Sequence, residues 1–300
     1  MIKVQAIVTA PPYADFLDEV TAHPLVAGLR LNTVMPLKEG PAEALERFSH
    51  LDTPLWIDLK GRQLRVVGAA MPPFTEVHIS HHIEVDTPVD AFFNDGTEHA
   101  IVVAVDGNRL ILQDGPRRMI GPGESINIIH PSLKIKSYLT PTDIAYLEAM
   151  KDAGQKRVML SFVEGPEDVS KVRQIMPDAE VIQKIETQKG MDYIHKHQAS
   201  YGRLMAARGD LYVEVPRPHL IICALRTIIQ ADPTAIVASR VFDSLAYHPV
   251  PNSADISDAA FLLSLGYRTF MLGDAVCLRR DSVIEALNLL EAVAEECEER

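Results

Sequence analysis

Residues 181–190 read V-I-Q-K-I-E-T-Q-K-G and residues 202–216 read G-R-L-M-A-A-R-G-D-L-Y-V-E-V-P, with a polar, helix-compatible connection between them. Val181 to Glu186 is a short apolar run closed by a turn signal, as expected of a buried strand, and Leu204 to Ala207 is a second. A helix-length segment of about a dozen residues separates the two, which predicts a βαβ unit with parallel strands. Each strand leaves an acid at its carboxyl end, Glu186 on the first and Asp210 just past the second. In α/β sheets and barrels that end carries the chemistry. Two carboxylates gathered there repel, so one must take up a proton or a cation must sit between them. A divalent ion that favours oxygen ligands, Mg or Mn, resolves the conflict most simply. Lys184 precedes Glu186 by two and leaves the same face of the strand. A K-x-E pair alone is more often a surface ion pair. Here Val181, Ile182 and Ile185 argue that both faces are buried, and Gly209 lets a ligand approach the backbone closely, so the stretch reads as a site.

Around this unit the same alternation recurs. Strands are predicted at Lys3–Thr9, Val26–Asn32, Pro54–Leu59, Arg157–Phe162, Ala235–Ser239 and Thr269–Leu272. Helices are expected at Asp15–Ala22, Pro41–His50, from Thr140-Pro141-Thr142-Asp143 onward, and at Pro166–Ile175, His219–Gln230 and Ser257–Leu265. A last helix is expected to open with a capping box at Ser282–Glu285 and to carry an apolar stripe of Val283, Leu287, Leu290 and Val293. Between about Arg62 and Ile135 the composition turns to Val, Ile, Pro and Gly, with the hairpin dipeptides Asp95-Gly96, Asp106-Gly107 and Asp114-Gly115. Eight strands outside this segment give an α/β fold: a (β/α)8 TIM barrel over residues 1–61 and 136–300, with a small all-β domain, 62–135, inserted after strand three.

At 300 residues, 47% hydrophobic and 23% charged, the chain has room for one such barrel and a modest insertion, and the composition is that of a soluble globular protein. A net charge of −12 argues against nucleic acid or an anionic membrane as partner. No apolar run approaches a membrane span, and the N-terminus reads as a strand rather than a signal peptide. The three cysteines, Cys223, Cys277 and Cys297, lack metal-type spacing and read as reduced thiols of a cytoplasmic protein. His78, His81 and His82 fall in the β segment, where alternation puts His78 and His82 on one face, and they read as a solvated strand rather than a metal site.

Several motifs, in order, resemble the pyruvate kinase family from about residue 3 to residue 293, with the C-terminal domain of that family absent from the match. Met205-Ala-Ala-Arg-Gly-Asp-Leu-Tyr-Val-Glu-Val-Pro216 is similar to the family's M-A-R-G-D-L-G-[IV]-E, and Lys184-Ile185-Glu186 to its K-I-E. Arg30-Leu31-Asn32 resembles R-L-N-F-S-H-G, and Asp58-Leu-Lys-Gly-Arg-Gln-Leu-Arg65 resembles D-T-K-G-P-E-I-R. Phe93-Asn94-Asp95-Gly96 lies at the family's lid-domain D-D-G, and Pro251–Asp258 resembles P-T-R-A-E-x-S-D. Together they are specific where each alone is weak.

The resemblance implies phosphoryl transfer between phosphoenolpyruvate, or a related enol or 2-keto acid, and ADP or ATP. Glu186 and Asp210 would hold Mg, and Lys184 would stabilise the phosphoryl group in flight. Arg30 would contact the transferring phosphate with its guanidinium fork. Backbone N–H groups at Gly209 and Asp210 would hold the carboxylate, and Ser239, at the family's threonine position, would serve the enolate carbon. Arg30, Asn32, Arg65 and Asp95 would bind nucleotide, and the inserted domain would act as the lid. Asn32 and Asp58 are the remnant of a potassium site whose two hydroxyls are replaced by Val34 and Leu59; with Gln63 in place of glutamate, that site is expected to be lost. Met35, Arg240 and Gly273-Asp274-Ala275 also depart from the family's pattern, around the substrate and nucleotide pockets. A homo-oligomer is compatible with the family. Ile185-Glu186-Thr187 also fits the metal-dependent aldolases and lyases of the phosphoenolpyruvate/pyruvate barrels, which lack such an insertion, and the altered pockets leave a catalytically silent binding protein as a further alternative.

Overall fold

The computed structural model describes residues 3–35 and 38–298; the expected barrel segments also take in residues 1–2, 36–37 and 299–300, which lie outside the described residues. Strands β1 (Gln5–Thr9), β2 (Val26–Asn32) and β3 (Leu55–Leu59) lead into a β-rich segment of β4 (Leu64–Arg65), β5 (Glu76–His78), β6 (Ile83–Glu84), β7 (Val89–Phe93), β8 (Glu98–Asp106), β9 (Arg109–Leu112), β10 (Ser125–Asn127) and β11 (Lys134–Ile135). Parallel strands then resume as β12 (Arg157–Leu160), β13 (Glu180–Ile185), β14 (Arg203–Ala207), β15 (Ile236–Ala238) and β16 (Thr269–Leu272). The helices are α1 (Leu17–Thr21), α2 (Pro41–Glu46), α3 (Pro141–Asp152), α4 (Pro166–Ile175), α5 (Gln188–Ile194), α6 (Arg208–Glu214), α7 (Ile221–Ala231), α8 (Ser253–Leu265), α9 (Asp274–Cys277) and α10 (Arg280–Glu298).

The parallel strands close in the order β1-β16-β15-β14-β13-β12-β3-β2, so β13 and β14 are neighbours as the βαβ reading requires. The barrel interior is filled by Ile7, Met159, Ile182, Met205, Ile236 and Met271, each nearly or fully buried, with Ala207 and Ala238 beside them. Large side chains from six neighbouring strands, β1 and β12 to β16, thus plug the barrel and confine chemistry to its mouth. The β-rich segment builds its own sheet, β4-β10-β7-β8-β9-β5, over a separate core that includes Ile79, Phe93, Leu110 and Ile120. Among the described residues no helix is long and apolar enough to cross a membrane.

Local chemistry explains the element ends. Thr140 caps α3: its hydroxyl accepts from the Asp143 N–H, and the Asp143 carboxylate accepts from the Thr140 N–H. The same carboxylate accepts from the backbone N–H groups of Lys60 and Gly61, tying the exit from β3 to the helix that follows the insertion.

Three sequence expectations need correction. The helix expected at 257–265 begins at Ser253, because Asn252 accepts from the Asp255 N–H and caps it four residues earlier. The last helix starts at Arg280, and Ser282 lies inside it; its hydroxyl donates to the carbonyls of Val276 and Arg279 instead of capping, although Val283, Leu287, Leu290 and Val293 are buried as expected. Asp114-Gly115 makes no hairpin, since the strand after β9 in the sheet order is β5 rather than the next in sequence. Arg208-Gly209-Asp210, to which no secondary structure was assigned, forms the first turn of α6.

Candidate functional site

The carboxyl ends of β2, β3, β13, β14, β15 and β16 converge on one charged mouth. Lys184 Nζ lies 3.3 Å from Glu186 Oε1 and 3.3 Å from Asp58 Oδ1, and donates to Ser161 Oγ at 2.8 Å. The period-two spacing on β13 therefore does what it predicted. Burial works against the charge on Lys184, but Asp58 and Glu186 outweigh it and hold its pKa above the ordinary lysine value.

Asp58 is fully buried and surrounded by cations. Arg30 Nε donates to Oδ2 at 2.8 Å, Lys60 Nζ stands 3.4 Å from the same oxygen, and Lys184 faces Oδ1. Burial alone would raise the carboxyl, yet Lys184, Lys60 and Arg30 together hold it well below the usual aspartate range. Lys60 is depressed to about 7, chiefly by burial, and its ammonium has no hydrogen-bond partner.

Asp210 opens α6, beside Glu186 across the β13–β14 register, which runs from Ile182↔Arg203 to Ile185↔Ala206. Its Oδ2 accepts from Gln63 Nε2 at 2.6 Å, while its buried Oδ1 has no partner. Burial, then Glu186 and Asp95, push its pKa up to about 7. The Oε2 of Glu186 accepts from the Phe162 N–H at 2.8 Å. Two facing acids, one with an orphaned buried oxygen, suit a hard cation; Mg needs only one or two protein carboxylates because it keeps most of its water. Among the described residues no cluster of three or more His, Cys, Asp or Glu is arranged for a metal.

Arg30 lies between two acids rather than free toward the opening. Its Nη1 donates to Thr9 Oγ1 at 3.1 Å and to Asp274 Oδ1 at 2.8 Å, while Nε and Nη2 hold Asp58. Asn32 donates to the other oxygen of Asp274 at 2.9 Å, and its own Oδ1 accepts from the Val34 N–H. The potassium remnant, Asn32 and Asp58, is thus engaged by the protein's own donors. Arg65 faces the other side, where Nε and Nη2 grip Gln63 Oε1 and Nη1 donates to the Gly123 carbonyl. Gln63 thereby links Arg65 to Asp210. The four residues expected around nucleotide therefore split into two groups, Arg30 with Asn32 at Asp274, and Arg65 with Asp95 near Asp210.

Asp95, at the tip of the β7–β8 turn, reaches across to α6. A Cβ at Gly209 would lie 3.2 Å from Asp95 Oδ2 and 3.5 Å from Ser239 Oγ, so the absent side chain is what lets the three meet. Ser239 has a left-handed φ of 70°, and Arg240 (57°) and Phe242 (52°) are left-handed too, a strained backbone of the kind that gathers at functional sites. Arg208 pins it by donating from Nε and Nη2 to the Ser239 carbonyl, and Nη1 binds both oxygens of Asp258.

Sequence reasoning assigned no role to Lys60, Ser161, Arg208 or Asp274. Lys60 was findable, two residues after Asp58 on the same face; Asp274 was visible only as a departure from a motif. Thr187, the third residue of the aldolase-like triplet, caps α5 by accepting from the Gly190 N–H and donates to Glu164. His78 and His82 are exposed as expected, and His81 is buried with Nδ1 against Ser80 Oγ.

A closed parallel barrel with an inserted β-sheet beside its charged mouth is an α/β-barrel architecture. Residues 55–276 match the family model "Pyruvate kinase, barrel domain", and the chain belongs to the pyruvate kinase family. The pyruvate kinase of Borreliella burgdorferi is 28% identical over an alignment covering 90% of this chain and 62% of that protein. That of Methanocaldococcus jannaschii is 27% identical, covering 100% of this chain and 70% of its own length. One from Agrobacterium vitis reaches 34% over 54% of this chain and 35% of that protein. The alignments thus span between 35% and 70% of the length of these relatives.

Proposed function

We propose that this protein is a pyruvate kinase-like phosphotransferase, moving a phosphoryl group between phosphoenolpyruvate, or a related enol or 2-keto acid, and ADP or ATP, with Mg and without potassium. The observation that carries the reading is the meeting of Lys184, Glu186 and Asp58 beside the partnerless oxygen of Asp210. Mg or Mn held by Glu186 and Asp210 would supply positive charge to the phosphoryl oxygens and the enolate. Lys184 would add a fixed ammonium on the path between donor and acceptor oxygens, where charge develops. The enol P–O bond breaks, a P–O bond to the nucleotide's terminal phosphate forms, and the enolate carbon takes a proton. The Ser239 hydroxyl, held at the mouth by its strained backbone, would lie on the route of that proton. The N–H groups of Gly209 and Asp210 would hold the substrate carboxylate, and Arg30 the phosphate through its remaining Nη2 proton. Arg65 and Asp95 would meet the nucleotide with Arg30 and Asn32, and residues 62–135 would form the lid that excludes water.

Independence from potassium follows from Asp58. Its oxygens already face Arg30, Lys60 and Lys184, and the apolar Val34 and Leu59 offer no ligand. A coupled assay with phosphoenolpyruvate, ADP and Mg, with potassium replaced by tetramethylammonium, tests both halves. Pyruvate formation at an unchanged rate is expected. Absence of any phosphoryl transfer sinks the proposal, and metal-dependent cleavage of a 2-keto-4-hydroxy acid in its place would identify a lyase. Stimulation by potassium would remove only the cation claim.

A further inference from the structure

Helix α6 carries Asp210 in its first turn and has little of its own to hold it there. It is seven residues long, Ala207 before it offers no side chain to cap it, and Gly209 stands in its first turn. Asp210 and Glu214 lie four residues apart and so share a face, where two acids repel. Burial, with repulsion from Asp210 added, pushes the Glu214 carboxyl up to about 8.

The inserted segment meets that face with a matching pair of donors. Gln63 Nε2 donates to Asp210 Oδ2 at 2.6 Å, and Asn127 Nδ2 donates to Glu214 Oε1 at 3.3 Å. Strands β4 and β10 pair antiparallel as Arg65↔Ser125 and Leu64↔Ile126, and the next step of that register sets Gln63 opposite Asn127 at the β4 edge of the sheet. Side chains opposed in this way start about 5 Å apart, and helix positions four apart are separated by about 5–6 Å. Two amides on one sheet edge therefore span two carboxyls on one helical turn. The orientation of the first amide is fixed by its other side. Arg65 Nε and Nη2 hold Gln63 Oε1, and a guanidinium only donates, so the Gln63 NH2 is the end left for Asp210. A third contact is steric: at the β7–β8 turn a Cβ on Gly96, φ +79°, would lie 3.1 Å from Val213 Cγ2.

We propose that the inserted segment is a two-pronged clamp on α6, and that Asn127 is a positioning residue for Asp210. Among the described residues Asn127 makes no hydrogen bond to Asp210, Glu186 or Lys184; it acts through Glu214 and one turn of helix. While the amide holds Glu214, the start of α6 stays against the end of β13, where Glu186 stands. Without that hold the short helix frays from its carboxyl end, and Asp210 loses its fixed aim.

The clamp is measured without ligand and so stands apart from the phosphotransferase reading; only its effect on a metal rests on Asp210 being a ligand. Hydrogen exchange on the full chain should speed by about tenfold over residues 208–215 in Asn127→Ala, with α7 unchanged. Glu214→Leu removes the same bond from the helix side and should do likewise, which gives a second route should the first variant not fold. Glu214→Gln keeps an acceptor for Asn127 and should exchange like the wild type. Mn binding, read by calorimetry, should weaken about tenfold in Asn127→Ala, the scale of losing outer support for a metal ligand, and stay near wild type in Glu214→Gln. Unchanged exchange in both Asn127→Ala and Glu214→Leu overturns the clamp, as does Glu214→Gln exchanging as fast as Glu214→Leu. Faster exchange with unchanged Mn affinity overturns the positioning of Asp210. A wild type that binds no Mn removes the metal from the proposed function, and exchange alone then decides the clamp.

Discussion

Asp58 sets the electrostatics of the mouth: one buried carboxylate faces three cations from three strand ends. A buried acid stays ionised only with such company, and it in turn helps keep Arg30 and Lys184 charged, whereas burial still depresses Lys60 to about 7. Lys184 stands between this acid and Glu186, so its ammonium is fixed before any substrate arrives. Lys184→Ala is expected to lower turnover by at least about a thousandfold, the scale of losing a preorganised group at developing charge. Mg binding, read by calorimetry, should stay measurable in that variant; near-normal turnover would take Lys184 out of the mechanism. Asp274 has a different role, because it touches Arg30 and Asn32 from α9 and is itself half exposed. Removing it in Asp274→Ala should cost about 1–2 kcal/mol in positioning, roughly tenfold in kcat/KM for the phosphorylated substrate, with little change in stability. An unchanged kcat/KM would mean that Asp58 and Thr9 suffice to orient Arg30.

At the scale of elements, α6 is the part that sequence reading missed. R-G-D followed by aromatic and β-branched residues has weak helix propensity, and packing of Leu211 and Val215 into the core supplies what propensity lacks. The helix carries Asp210 at one end and Glu214 at the other. The Glu214 carboxyl is pushed up to about 8 from 4.5, chiefly by burial, with repulsion from Asp210 and Glu164 added and the Asn127 hydrogen bond opposing. Between those values the folded protein keeps a proton that the unfolded chain has released, so this group lowers stability progressively as pH rises from about 4.5 to about 8. Glu214→Gln removes the titration. Relative to the wild type it should gain roughly 3 kcal/mol between pH 5 and pH 8 in urea unfolding; a difference that does not vary with pH would refute the shift. On α8 the cap is simpler. Asn252→Ala leaves the Asp255 N–H without its acceptor and should cost about 1 kcal/mol in the same measurement.

At the scale of the whole molecule, the insertion rests on the barrel mouth. Gly123 has φ +90° and sits where a Cβ would lie 2.6 Å from Val34 Cγ1. Gly123→Ala combines a strained backbone with a clash across the two bodies. It should lift this edge, speed hydrogen exchange at residues 121–125 and 33–34, and raise KM for nucleotide; unchanged exchange would show that the contact carries no weight in closure. The strands of the barrel were legible in the sequence almost to the residue, since each is an apolar run with a turn at its end. So were Lys184 and Glu186, whose meeting needs only the two-residue period of β13. Boundaries failed where a cap outside the apolar pattern, Asn252, started the helix early, and where Ser282 found carbonyls in place of N–H groups.

The sequence alone determined the alternation of strands and helices, the insertion after β3, and the carboxyl-end position of Glu186 and Asp210, because these follow from local periodicity and from the chirality of crossovers. Only the tertiary structure decided which charges face each other. Arg30 finds Asp274 across 244 residues of chain, and Gln63 finds Asp210 across 147. Those partners are set by β1 closing against β16 and by the insertion folding back over the mouth. Long-range electrostatic pairing leaves no periodic trace in a sequence, since any of several acids would suit any of several cations until the backbone brings particular ones within a few ångströms.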